Sequence, residues 1–188
     1  RKRYGLDEPE TEIFGRECLR SRRLAERGVR FIQVSHAHSL PFNNEQWDQH
    51  SHLEQGHSIN VRQIDKPITG LLLDLKARGL LDSTIVLWCG EFGRLPISQG
   101  KDGRDHNRHG FSLWLAGGGF KPGHVHGATD DVGYRSVQDI MTMQDLHATL
   151  LHQLGLEHTK LTYEHHNSPE SLTDARGPGA KVVKEILS

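Results

Sequence analysis

Long apolar runs are missing from this sequence, and so is any imbalance of charge. No stretch approaches the roughly 18 consecutive apolar residues of a membrane-spanning helix, and no signal peptide is visible. Lys and Arg together number 23 against 24 Asp and Glu, for a net charge of −1. That balance removes the electrostatic case for nucleic acid or an acidic membrane surface as partner. Basic residues do gather between Arg16 and Arg30, but Glu17 and Glu26 interrupt them at the spacing of a solvated amphipathic helix. Cysteine is scarce: Cys18 and Cys89 stand far apart and outside any CxxC pair, so neither a disulfide framework nor a redox compartment is implied. No Gly-x-Ser-x-Gly elbow occurs. Gly117-Gly118-Gly119 lacks the Lys-Ser/Thr of a phosphate-binding loop and reads as a tight turn. The chain opens Arg1-Lys2-Arg3 without Met, the expectation being a processed chain or a part of a longer one.

Histidine, by contrast, is abundant, with 14 among 188 residues and no terminal run to account for them. Many stand beside Asp in loop-like segments, so their placement relative to helices and strands decides what they can do. Thr11 to Arg27 reads as a helix with Phe14, Cys18, Leu19 and Leu24 along one side, stopped by Gly28. Residues 29 to 34 read as a short strand rich in β-branched and aromatic residues. A polar loop follows, and then a helix from about Ser58 to Arg78, with Val61, Ile64, Ile68, Leu71, Leu72 and Leu75 at steps of three and four. Pro67 is expected to kink or break it.

Residues 84 to 89 form an apolar run of the kind found in a strand buried on both faces, and residues 111 to 116 read as another strand. Thr142 with Asp145 opens a further helix by capping-box logic, with Leu146, Leu150, Leu151 and Leu154 as its stripe. The tail from His158 to Gly179 reads as irregular, and Val182 to Leu187 as a short closing helix or strand. Strands alternating with long helices imply an α/β fold: a partial doubly wound, mostly parallel sheet flanked by helices, with ligands at the carboxyl ends of the strands.

Three polar clusters fall in loops beside those strands. They are Trp47-Asp48-Gln49-His50-Ser51-His52, Gly90-Glu91-Phe92-Gly93-Arg94 and Gly103-Arg104-Asp105-His106-Asn107. Folded over one sheet edge, they would bring carboxylates and imidazoles together. Asp48, His50, His52, Glu91, Asp105 and His106 are the candidate ligands of a divalent ion. Mixed oxygen and nitrogen donors suit Zn, Mn or Fe, and carboxylate-rich subsets suit Mg or Ca. Arg94 and Arg104 are candidate clamps on a tetrahedral oxyanion. His36, His38 and His109 are secondary candidates for substrate contact. Each cluster also has a local reading: helix capping by Asp48, a Glu91–Arg94 ion pair, an Asx turn at Asp105. His147 and His152 read as surface or packing residues of the last helix.

The order of these motifs, continued by Trp114-Leu115-Ala116-Gly117-Gly118-Gly119 and Gly127-Ala128-Thr129-Asp130, resembles a bacterial family of uncharacterised, sulfatase-like proteins placed in the alkaline phosphatase superfamily. Phe14-Gly15-Arg16 and Val182 to Leu187 extend the resemblance over nearly the whole chain. The resemblance implies that Asp48 with His50 or His52, Glu91 and His106 bind metal. It implies a sulfate or phosphate ester as substrate, either a small molecule or a sulfated polysaccharide, and a periplasmic or secreted location. Phe92 departs from the superfamily pattern, which has a ligating His or Asn there. Since that superfamily's nucleophile comes from an early strand, the chain is expected to be the C-terminal part of one such domain, with little turnover alone. A non-catalytic structural or binding protein that retains the fold is the alternative.

Overall fold

Two glycines let the N-terminal backbone thread between two helices. The computed structural model describes residues 1–36, 46–173 and 179–188. Helix α1 spans Glu12–Glu26 and α2 spans Leu53–Ala77, with Phe14, Cys18 and Ile64 buried between them. A single 3-10 turn, Lys2–Tyr4, lies against both. A Cβ on Gly15 would stand 2.1 Å from the Tyr4 carbonyl oxygen, and one on Gly70 would stand 2.3 Å from that of Arg3. The absence of side chains at those two positions is what permits the contact. Tyr4, Leu6, Phe14, Cys18 and Ile64 then form a core with Leu19, Val34, Trp47, Ile68 and Leu71 around it.

A buried carboxylate ties the same three elements together. Asp74 of α2 accepts from the Tyr4 hydroxyl at 2.8 Å, from Arg22 at 3.0 Å, and from Arg3 and Arg78 at 3.2 and 3.1 Å. Burial raises its pKa, but the Tyr4 and Arg78 hydrogen bonds and the nearby guanidinium groups outweigh that, holding the carboxyl below the usual carboxylate range. Burial also pushes the Cys18 thiol up to about 12, as for an inert core thiol.

Helix α2 begins five residues before its expected start at Ser58 and runs through Pro67, which is buried, without ending there. Its first turn is anchored from outside. Leu53 N–H donates to the Asp102 carbonyl at 3.0 Å, and Gly56 packs so closely on Gln49 that a Cβ there would meet its Cγ at 2.8 Å. Polar residues 54 to 58 are therefore helical for tertiary reasons that their pattern does not encode.

The strands differ from the expected sheet. Strand β1, Val86–Trp88, pairs antiparallel with β4, Trp114–Ala116, so that Trp88 faces Trp114 with the rings nearly parallel. Between them β2, Gly93–Arg94, pairs antiparallel with β3, His106–Asn107. Further on, β5 (Ala128–Thr129) pairs with β6 (Ser136–Gln138), and β7 (Tyr163–His165) with β8 (Ser168–Glu170). All four ladders are two-stranded and antiparallel, so the doubly wound parallel arrangement is overturned. The reason lies in the connections. A parallel pair needs a crossover, usually a helix, whereas residues 89 to 113 between β1 and β4 contain a hairpin and no helix among the described residues. Residues 31 to 36 have no ladder partner among the described residues, and Phe31 is 84% exposed, so the expected strand at 29 to 34 does not form.

Helix α3, Met143–Gln153, begins at the expected capping box, Thr142 and Asp145 each bonding the other's backbone N–H. It packs beside a second core of Phe120, Val183 and Ile186 with Ile85, Leu115 and Leu150. The Gly117–Gly119 bend lies against this core: Cβ atoms there would collide with Leu81, Thr84 and Ile85, and all three glycines have positive φ, which bears out the tight-turn reading. The chain closes on a 3-10 turn, Lys184–Ile186, with Ser188 N–H bonded to the Gly119 carbonyl. No helix among the described residues is long and apolar enough to cross a membrane.

Candidate metal centre

The β2–β3 ladder places Arg94 directly opposite His106, and both side chains reach the loop that leads into α2. That approach depends on glycine. A Cβ on Gly93 would lie 2.2 Å from the Gly110 carbonyl oxygen, and one on Gly103 would lie 1.9 Å from that of His50. The two loops are further joined by Arg104 N–H donating to the Gln49 carbonyl at 3.0 Å.

Asp48, His50 and His106 converge there. Asp48 Oδ1 lies 2.8 Å from His106 Nε2 and 3.2 Å from His50 Nε2, and the two Nε2 atoms are 3.1 Å apart. Donor atoms about 2.0–2.1 Å from a tetrahedral zinc ion stand roughly 3.3 Å from one another, so the triangle has nearly the size of one face of that tetrahedron. It is the one group of this kind among the described residues. Side-chain exposures of 52%, 43% and 47% leave it open to solvent, with room for a further ligand.

The surroundings fit the same chemistry. Asp105 Oδ1 lies 3.1 Å from His50 Nδ1, the ring nitrogen that faces away from the triangle. A carboxylate in that position fixes a ligand imidazole's orientation and tautomer and raises its basicity. Asp105 is itself held by the Gln99 N–H at 2.9 Å, and that bond, followed by the one from His50, lowers its pKa. Arg94 reaches Asp48 Oδ1 at 2.6 Å. Partial burial pushes the Asp48 carboxyl up, but the His106 and Arg94 hydrogen bonds more than offset it, and the carboxyl sits below its ordinary value.

Of the expected ligands, then, Asp48, His50 and His106 meet, and Asp105 stands behind His50. His52 takes the cap position of α2 in left-handed backbone geometry, with its Nδ1 3.1 Å from Ser51 Oγ, outside the triangle. Glu91 is exposed in the turn after β1 and also lies outside; Arg94, its expected partner, pairs with Asp48 instead. Arg104 turns back onto the Gly103 carbonyl at 2.6 Å. His36 accepts from Trp47 Nε1 at 3.0 Å and stands 2.9 Å from Gln63, half-buried beside the Phe14 and Trp47 rings. His38 falls outside the described residues.

His109 does come near. With Phe92, Leu95, His106, Asn107, Arg108 and Tyr134 it lines a cleft of about 350 Å³ beside the triangle. Tyr134 and Arg108 carry no motif signal, and Phe92, although inside a motif, reads there only as a residue that cannot ligate. Tyr134 joins the site through the β5–β6 turn, whose partner strands are too short to be read from periodicity.

Comparison with known proteins narrows what these residues belong to. No curated protein and no solved structure matches the chain. The resemblance to a sulfatase-like family of the alkaline phosphatase superfamily is corrected on two grounds: the matching family carries no such assignment, and the strands form short antiparallel pairs. The family whose profile matches, over residues 1–187, is described as "Protein of unknown function (DUF1501)", and the chain belongs to it.

Proposed function

We infer that the chain binds one divalent cation through Asp48, His50 and His106 and acts as a metal-dependent hydrolase of phosphate or sulfate esters, the expectation of little turnover falling with the superfamily resemblance on which it rested. The observation that carries this reading is the donor triangle, three ligand atoms from the loop before α2 and from strand β3 within 3.2 Å of one another. Two imidazoles and one carboxylate suit zinc, or manganese as a second choice. An ion with an open position polarises an ester oxygen and lowers the pKa of bound water. Asp105 orients His50 for this task. Arg94 supplies a cation at the edge of the triangle, suited to a tetrahedral oxyanion.

A second reading, a non-catalytic protein that retains the ion, is favoured by Arg94 already pairing with Asp48. Calorimetric titration with zinc tests what the two readings share. The expected result is one ion per chain, with binding lost in Asp48→Asn and in His106→Ala. A chain that takes up no stoichiometric zinc or manganese sinks both readings. Release of phosphate or sulfate from aryl esters by the loaded protein, abolished by the same substitutions, then separates hydrolase from passive binder.

A further inference from the structure

The cleft beside the triangle points to the kind of ester. His106 belongs to both: its Nε2 faces Asp48 and His50, while its ring lies 4.4 Å from that of Phe92 in the cleft wall. On the far side the His109 and Tyr134 rings lie 5.5 Å apart. Asn107, only 1% exposed, holds the His109–Tyr134 side in place: its amide donates to the Tyr134 carbonyl at 2.7 Å and accepts from His109 N–H at 2.9 Å. Asp130 fixes the Tyr134 N–H at 2.7 Å. The backbone of that side is thus anchored while Tyr134 remains 43% exposed. Arg108 adds a cation at the rim.

Pre-set aromatic walls with a cationic edge suit stacking against a flat ring. A volume of about 350 Å³ is near the bottom of the range for small-molecule pockets, which runs from about 300 to 1,000 Å³, and holds one ring rather than a chain of them.

We propose that this cleft binds the organic half of the substrate as a single ring, selecting ring-bearing monoesters, aryl ones foremost, whose anionic head lies at the Asp48–His50–His106 triangle. The inference rests on the metal reading above, since the ion would hold the head. Phenylphosphonate and methylphosphonate, which share a head and resist hydrolysis, test it on the zinc-loaded full chain by calorimetry. The expected outcome is about ten-fold tighter binding of phenylphosphonate. Tyr134→Ala removes that preference without weakening methylphosphonate, and Tyr134→Phe, which retains the ring, preserves it. Equal affinities with zinc bound, or a preference indifferent to Tyr134→Ala, overturn the ring site and leave the metal reading standing. Failure to bind zinc overturns the metal reading. In that case the two phosphonates are compared on the zinc-free chain, where a Tyr134-dependent phenyl preference supports the ring site and no preference ends it.

Discussion

Asp105 makes its contribution through another residue. Its carboxylate meets the outer nitrogen of His50 and leaves the inner one to the triangle. Asp105→Asn keeps the size of the side chain and removes the charge. Loss of such an outer partner typically weakens metal binding by about 10- to 100-fold. Competition against a chromogenic chelator should show zinc affinity falling within that range, with the circular dichroism spectrum unchanged. An unaltered affinity would mean that Asp105 is only a surface acceptor. At this scale the sequence was informative in part: Asp48, His50 and His106 were among the six expected ligands, but Asp105, expected as a ligand too, stands behind His50 instead. The sequence did not reveal that Glu91 and His52 would point elsewhere. Rotation about a turn or a cap, which no spacing encodes, decides those two.

At the scale of elements, α1 and α2 were legible from three-and-four periodicity, and α3 from the pairing of Thr142 with Asp145. The strands were misassigned because an apolar run fixes neither the direction of the partner nor burial on both faces, and Leu87 and Trp88 are in fact exposed. Residues 84 to 89 would read the same in a parallel sheet or beside β4, and only the missing crossover helix distinguishes them. Gly70 shows a comparable conflict between local and tertiary preference. Alanine inside α2 would gain about 1 kcal/mol of helix propensity. Its Cβ would stand 2.3 Å from the Arg3 carbonyl oxygen, a backbone atom with no rotamer to escape into. Overpacking of this kind typically costs about 1–3 kcal/mol. Gly70→Ala is therefore expected to lower stability by about 1 kcal/mol in urea unfolding followed by circular dichroism, and a gain in stability would contradict the packing of the N-terminal turn.

Across the whole molecule two apolar cores lie apart in sequence, one around Tyr4, Phe14 and Ile64, the other around Phe120, Val183 and Ile186. The triangle draws Asp48 and His50 from the segment entering α2, and His106 from the hairpin that follows β1. An ion bound there would close a long loop between them. A ligand held only by the folded state adds about 2.7 kcal/mol at one hundred times its dissociation constant. Differential scanning calorimetry should therefore show a higher Tm in zinc, and His106→Ala should abolish the rise. An equal rise in both proteins would place the ion elsewhere.

Gly103 sets the width of the gap in which all of this happens. Where other residues carry a methyl group or more, it presents a hydrogen atom to the His50 carbonyl, with no slack on either side. The hairpin can approach no nearer, and with any larger residue at 103 it would have to stand off. The approach of Asp48 and His50 to His106 thus has a mechanical stop one atom deep, set by a glycine outside the triangle. A larger side chain there would part His106 from Asp48 and His50 without altering any of the three.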